Sequence, residues 1–202
     1  LTKGAVGLVV TEDSALTNAK DAIAHIQKAP AAVSVAITGI GSVSQIAAVE
    51  LRKLVNDNIN IVPYQGGASS KIGKLGKQVE FGLLNVADAI AEHRQGRLRF
   101  LAVTSAQRLP TLPDVPTFSE LGLSQMVFTS MEGYAAPAGT PPEILSKLRE
   151  AFEKAINDPE FLSIAKKQEM PLTLRTGPEF QADLEKGDHD LGRLWAVSPW
   201  DK

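Results

Sequence analysis

The strongest constraint on this chain is a regular alternation of short apolar runs and amphipathic segments over its first 105 residues. The apolar runs predict five buried strands: Gly7–Val10, Val33–Ile37, Ile59–Val62, Val79–Leu84 and Phe100–Val103. The segments between them carry apolar residues at helical spacing, and the first helix is predicted to start at Ser14. Apolar strands that alternate with helices predict an α/β fold with a mostly parallel sheet covered on both faces.

The second half of the chain differs in composition, since 10 of the 12 prolines follow residue 105. The first of them, within Pro110–Pro116, predict an ordered and stiff connection. After Pro141 the apolar spacing is helical, and Asp158–Pro159 is a typical helix start. A short strand at Leu172–Leu174 and a helix at about Pro178–Leu194 are predicted to complete the chain.

Composition and charge exclude several kinds of protein. A net charge of −2 provides no basic face for nucleic acid, and the lack of cysteine excludes disulfides, thiolate metal sites and thiol nucleophiles. The apolar runs are far shorter than the ~20 residues of a membrane-spanning helix. Leu1–Gly4 contains neither an initiator methionine nor a signal-peptide pattern, so we expect a mature, trimmed or truncated product.

Three loops follow predicted strand ends and open onto helices, which is where open α/β sheets bind their ligands. They are Thr38–Ser44, Tyr64–Ser70 and Leu84–Asp88. Glycine lets backbone N–H groups approach a ligand, and the N-terminus of a helix carries partial positive charge. The predicted ligand-binding residues are Gly41, Ser42, Val43, Ser44, Tyr64, Gly66, Gly67, Ala68, Ser69 and Asn85.

The chemistry of these loops favours a small carboxylate as the ligand. None of them contains Lys or Arg, so their backbone and hydroxyl donors suit a carboxylate better than a polyphosphate. The alternative is that Gly and Ser only cap helices there. A dinucleotide-binding loop does not fit, because Ser44 stands where the third glycine belongs and Val62–Pro63 provides no acid for the ribose.

The sequence shows no catalytic or metal-binding constellation. His189, between Asp188 and Asp190, fits a solvated helix face better than a metal ligand. Ser42 lacks the sharp turn and the nearby histidine that activate a nucleophilic serine. We therefore expect no enzyme activity, no metal and no cofactor.

A set of segments, taken in their order and spacing, carries a family resemblance: Val62–Gly67, Leu75–Glu80, Leu101–Arg108, Leu112–Thr117 and Ala136–Pro142. Together they resemble the Bug (TctC-like) family, the periplasmic solute receptors of tripartite tricarboxylate transporters. The resemblance covers essentially the whole chain. It implies a two-lobed, periplasmic-binding-protein-like (Venus flytrap) fold that holds a small organic carboxylate through main-chain amides, hydroxyls and ordered water.

Two departures from the family pattern matter. The opening third of the family's mature chain has no counterpart, which implies that residues 1–128 form a nearly complete second lobe. Residues 129–202 would then be the returning, mostly helical part of a first lobe truncated at its N-terminal part. The family's acidic and aromatic residues near Gly82–Asn85 are replaced by leucines, so the identity of the ligand does not transfer.

The sequence is thus interpreted as a periplasmic receptor, or a truncated piece of one, that captures a small organic carboxylate. The partners that the resemblance implies are the membrane permease subunits of the transporter, and we also expect self-association through the incomplete lobe. Two alternatives stay open. One is an α/β enzyme acting on a small anionic metabolite, and the other is a receptor lobe kept as an interaction module.

Overall fold

The chain folds into two compact units in the computed structural model, which describes residues 2–54, 59–167, 170, 172, 173, 175 and 177–197. The larger unit contains Gly4–Ser130 and the chain from His189 onward, and the smaller one is built mainly from Met131–Asp188. The assignment of residues 1–128 and 129–202 to two receptor lobes stays a prediction.

A mixed β-sheet forms the centre of the larger unit. The strands are β1 (Thr2–Thr11), β2 (Ser34–Ile37), β3 (Asn60–Pro63), β4 (Phe81–Asn85), β5 (Leu98–Val103) and β6 (Thr129–Glu132). Their order is β3-β2-β4-β1-β5, and β6 pairs with β1. Strand β2 is parallel to β3 and β4, whereas β1 is antiparallel to β4 and β5. The predicted α/β class is confirmed. The sheet is mixed because β1 runs antiparallel to both of its neighbours, β4 and β5.

Helices cover both faces of this sheet. They are α1 (Ala19–Lys28), α2 (Val43–Lys53), α3 (Gly67–Leu75) and α4 (Val86–Arg94). The residues of β1 alternate between the two cores: Val6 and Leu8 belong to the cluster that includes residues of α1 and α2, and Val9 to the cluster that includes residues of α4. Strands β1, β2, β4 and β5 are largely buried, which explains the continuous apolar sequence from which they were predicted. The predicted burial of the strand at 59–62 is wrong for most of β3, which is exposed at Asn60 and Pro63 and half-buried between them because it lies at the end of the sheet order.

The first helix begins later than the sequence predicts. Asn18 is its N-cap, since the Asn18 side chain accepts a hydrogen bond from the Asp21 N–H. Ser14 instead accepts from the Leu16 N–H at 3.2 Å, within a local turn. Both residue types cap helices, so the sequence pattern alone did not distinguish them.

The smaller unit is helical, with α5 (Pro142–Ile156), α6 (Pro159–Lys167) and most of α7 (Gly177–Val197). The predicted start of α6 is confirmed, because Asp158 Oδ1 accepts hydrogen bonds from the N–H groups of Glu160 and Phe161 at 2.9 and 3.1 Å. Of the predicted strand at 172–174, Leu172 forms a bridge and Leu174 lies outside the described residues. In the described part of the chain, no helix combines the length and the apolar character needed to cross a membrane.

Candidate functional site

Three helix N-termini converge at one edge of the sheet. The adjacent parallel strands β3, β2 and β4 end at this edge, and α3, α2 and α4 begin there. The loops Thr38–Ser44, Tyr64–Ser70 and Leu84–Asp88 therefore lie side by side, and we call them together the strand-end edge. The connection after β2 leads to β3, in one direction along the strand order, whereas the connection after β4 leads to β5, in the other direction. This reversal makes the edge a topological switch point of the kind that binds ligands in α/β proteins.

The first loop is ordered by its own hydroxyl groups. Ser44 is 1% exposed, and its Oγ accepts from the Thr38 N–H at 2.8 Å and lies 2.9 Å from Thr38 Oγ1 and 2.8 Å from Ser42 Oγ. Ser42 Oγ also donates to the Gly39 carbonyl at 2.6 Å. The hydroxyl of Ser44 thus belongs to the internal network of the loop, while Ser42 is only partly buried.

Backbone donors remain at the start of α2. Gly41 has φ of 80°, a left-handed conformation that favours glycine, and its N–H donates to Gln45 Oε1 at 2.6 Å. Ser42 caps the helix by accepting from the Gln45 N–H. The N–H groups of Val43 and Ser44, the first two helical residues, have no carbonyl to bond within the helix. They are the donors that this loop offers to a ligand.

Among the described residues, the start of α3 leaves more backbone N–H groups without a hydrogen-bond partner than the start of α2 does. Its N-cap, Gly66, has φ of 103° and no side chain with which to cap the helix. The first backbone bond of the helix runs from the Ser70 N–H to the Gly66 carbonyl, at 3.2 Å. The N–H groups of Gly67, Ala68 and Ser69 precede this bond, so this loop presents three backbone donors. The Ser69 hydroxyl donates to the Gly66 carbonyl at 3.1 Å.

The third loop brings a negative charge to the strand-end edge. Asn85 is the N-cap of α4 without a side-chain capping bond, and its Nδ2 instead donates to Asp88 Oδ2 at 3.1 Å. The carboxylate of Asp88 lies against Gly67, across from the start of α3. Sequence reasoning included Asp88 in the loop but not among the site residues, although an acid in a first helical turn is a recognisable signal.

The side chain of Tyr64 extends away from this edge. A Cβ on Gly73 would lie 2.3 Å from the Tyr64 hydroxyl oxygen, so the ring lies along α3, and the hydroxyl donates to Gln78 Oε1 at 3.1 Å. Gly73 is about 9 Å along the helix axis from Gly67. The predicted ligand-binding role of Tyr64 stays a prediction, with its hydroxyl bonded elsewhere.

Lys71, which directly follows the second loop in the sequence, already has partners. Its Nζ donates to the Asp88 carbonyl at 2.9 Å and pairs with Glu92 Oε1 at 3.0 Å. Burial of Glu92 opposes ionisation, but the hydrogen bond from Lys71 and the nearby charges lower the pKa of Glu92 overall. Because Lys71 is occupied, the positive character of the strand-end edge comes from backbone donors and helix dipoles. No metal-binding cluster occurs among the described residues.

A sequence model of the family described as "Tripartite tricarboxylate transporter family receptor" matches residues 1–177. The chain belongs to this family. The family resemblance of the sequence is confirmed by this match, which extends over both units of the structure.

Two curated relatives are about a third identical to the chain over the residues that align. A Cupriavidus necator protein described as "UPF0065 protein in gbd 5'region" is 34% identical over 158 residues, which cover 77% of this chain and 47% of the relative. BugT of Bordetella pertussis is 31% identical over 150 residues, which cover 74% of this chain and 46% of BugT. The chain thus spans about half the length of the curated relatives that it matches.

Solved structures of binding proteins have the same fold. The periplasmic binding protein BugD is 25% identical, with a TM-score of 0.85 over 97% of this chain and 66% of that one. MatC of Rhodopseudomonas palustris, solved with bound malate, is 25% identical, with a TM-score of 0.75 over 83% of this chain and 57% of MatC. The periplasmic-binding-protein fold is confirmed, and the family and these neighbours are periplasmic binding proteins rather than enzymes.

Proposed function

We propose that this chain is the carboxylate-binding part of a periplasmic receptor for a tripartite tricarboxylate-type transporter. The observation that carries the proposal is the convergence of the N-termini of α2, α3 and α4 at the strand-end edge. Each terminus carries partial positive charge and stabilises a nearby anion by about 0.3–1 kcal/mol. The family and the malate bound to MatC support a small organic acid as the ligand.

In the proposed site, α3 provides the main binding group. The N–H groups of Gly67, Ala68 and Ser69 point towards an anion from a helix start that no side chain caps. The N–H groups of Val43 and Ser44 add donors from α2, whereas the Ser42 hydroxyl is already donated to the Gly39 carbonyl. Asn85 adds the second hydrogen of its side-chain amide from α4. A carboxylate has two oxygens with about four acceptor positions, so these donors are more than enough for one carboxylate group.

Capture of the ligand is proposed to occur by closure of the receptor. The ligand first binds the strand-end edge, a second lobe then closes over it, and the closed form is recognised by the permease subunits of the transporter. Removal of water on closure strengthens the interaction between the carboxylate and the helix N-termini. Self-association of the chain is part of the same proposal.

Thermal unfolding with a panel of ligands tests the function. Malate, succinate and citrate are compared with NAD and ATP, and the best carboxylate at a hundredfold excess over its Kd should stabilise the fold by about 2.7 kcal/mol. Mass spectrometry of the recovered ligand separates a receptor from an enzyme, since a receptor returns the ligand unchanged. A shift with NAD or ATP and none with any carboxylate would overturn the proposal.

A further inference from the structure

A second polar pocket, of about 430 Å³, lies at the opposite edge of the same sheet. Its lining includes Ser34, the first residue of β2, and Glu80, which precedes β4. These are the amino ends of strands whose carboxyl ends form the strand-end edge. The rise of β2 alone separates Ser34 from Thr38 by about 13 Å, so the two sites are distinct.

The floor of this pocket holds a buried cation. Lys74, on α3, is 3% exposed, and its stem packs on β4, where a Cβ on Gly82 would lie 3.5 Å from Lys74 Cγ. Its ammonium group donates to the Val79 carbonyl at 3.3 Å. Burial lowers the pKa of Lys74, and the nearby carboxylates of Glu80 and Asp13 offset only part of this effect.

Each acidic residue of the pocket has a basic side chain as a direct partner. Asp13 pairs with Lys77. Glu80 Oε1 lies 2.7 Å from His25 Nε2, and its backbone N–H donates to Ser34 Oγ at 3.0 Å. Among the described residues, no carboxylate forms an ion pair with Lys74. Lys74 is therefore a buried cation of the pocket whose ammonium has no carboxylate in direct contact among the described residues.

Two polar side chains at the rim add to this arrangement. Lys77 follows the end of α3 with φ of 56°, in the left-handed position that usually takes glycine, where another residue costs about 1–2 kcal/mol. This conformation places its ammonium at the rim, beside Asp13. Gln78 Oε1 accepts from the Tyr64 hydroxyl, which leaves the Gln78 NH₂ group as a donor.

We propose that this pocket binds the carboxylate or phosphate group of a small anion, with Lys74 as its buried cation and Lys77 and Gln78 as donors at the rim. A buried charge is costly until it is paired, and an oxyanion within hydrogen-bonding distance of Lys74 Nζ supplies the missing partner. The pocket has room for such a molecule. The site is separate from the strand-end edge and does not depend on its function.

NMR titration of the ¹⁵N-labelled chain tests this proposal, with inorganic phosphate and succinate as probes at constant ionic strength. Saturable shifts of the Gln78 and Glu80 amides are expected, and the tighter probe identifies the preferred group. Lys74→Met keeps the stem on Gly82 and removes the charge, so the apparent Kd should rise at least tenfold. Lys20→Met, on the exposed surface of α1, is the matched control and should leave the Kd unchanged.

A second variant keeps the test decisive if Lys74→Met fails to fold. Lys77→Gly relieves the left-handed backbone at position 77, so it should fold at least as stably as the parent while its Kd rises several-fold. Two results would overturn the proposal: unchanged binding in the variants that fold, or shifts confined to Gly41–Ser44 and Gly67–Ser69. The second result would still support the strand-end edge as a ligand site.

Discussion

The α-carbon of Gly67 lies against the carboxylate of Asp88, so closely that a Cβ at position 67 would be 2.2 Å from Asp88 Oδ2. Gly67 is the first residue of α3, and Asp88 lies in the first turn of α4. The hydrogen bond from Asn85 to Asp88 fixes the carboxylate in this position. The pair joins two of the helix N-termini proposed to bind an anion and places a negative charge beside them.

Replacing Gly67 with Val should abolish carboxylate binding. The added side chain would collide with Asp88 and cover the N–H groups at the start of α3, while the overpacking costs about 1–3 kcal/mol of stability. Calorimetry with malate and urea unfolding measure the two effects separately. Gly192→Val, which adds the same side chain at an exposed position of α7 where a Cβ has no neighbour within 4 Å, is the control; equal affinity in both variants would contradict the prediction.

Replacing Asp88 with Asn should tighten carboxylate binding. For a ligand bound about 4 Å from Asp88, removal of this negative charge relieves roughly 1 kcal/mol of repulsion in a water-like medium, or about a fivefold change in Kd. The variant also loses the favourable interaction of an acid with the N-terminus of α4, about 0.3–1 kcal/mol of stability.

Asp21→Asn is the matched control for this charge effect. Asp21 lies in the first turn of α1, so its replacement has the same helix-dipole cost without a change at the strand-end edge. The gain in Asp88→Asn should shrink at high salt, because exposed charges are screened. Weaker binding in Asp88→Asn, measured by calorimetry at low salt, would show that Asp88 supports the ligand rather than repelling it.

The positions of the strands and of the three loops were predictable because local sequence determines them. Apolar runs mark the buried strands, and glycines such as Gly41 and Gly66 occupy backbone conformations that other residues avoid. The direction of β1 was not predictable, since an apolar run has the same pattern in parallel and antiparallel sheets once both faces are buried.

The detailed roles of the site residues depend on contacts between distant segments. Ser44 has the residue type of a ligand donor, but its hydroxyl bonds Thr38 and is buried. The contact between Asp88 and Gly67 joins two loops 21 positions apart in the chain, and no local pattern indicates it. A lysine on a helix is normally expected to be exposed to solvent, whereas the packing of Lys74 on Gly82 buries it.

Stability should depend on pH through Glu92. Its pKa in the folded chain lies below the ordinary value of 4.5, so its ionised form stabilises the fold above that value, and the contribution is lost as pH falls through the folded pKa. Glu92→Gln should therefore be less stable than the parent at pH 7, and the difference should shrink as pH falls below 4.5, as measured by urea unfolding. Because Lys71 supplies the main hydrogen bond, Glu92→Gln should lower the free energy of unfolding less in a Lys71→Met background than in the parent. A stability difference between the parent and Glu92→Gln that does not change with pH would contradict the assignment.

An exposed apolar stripe runs along α5. Ile144, Leu148 and Phe152 follow each other at four-residue spacing and are 45%, 42% and 44% exposed. Tyr134 stacks on Phe152 with ring centroids 4.5 Å apart. No residue of α5 is buried, although its spacing is that of a helix with one apolar face. A contiguous surface of this kind is typical of an interaction site rather than of a monomer.

The 202-residue chain should therefore self-associate through this stripe, since an identical copy is always available as a partner and presents the same face. Light scattering at micromolar concentration should give a mass above the 21.6 kDa of one chain. Leu148→Lys places a charge in the stripe and should restore the monomer. Glu150→Lys, which places the same side chain on the opposite face of α5, should leave association intact. A parent chain of 21.6 kDa that unfolds cooperatively would contradict the prediction and show that the smaller unit is stable with its apolar stripe in water.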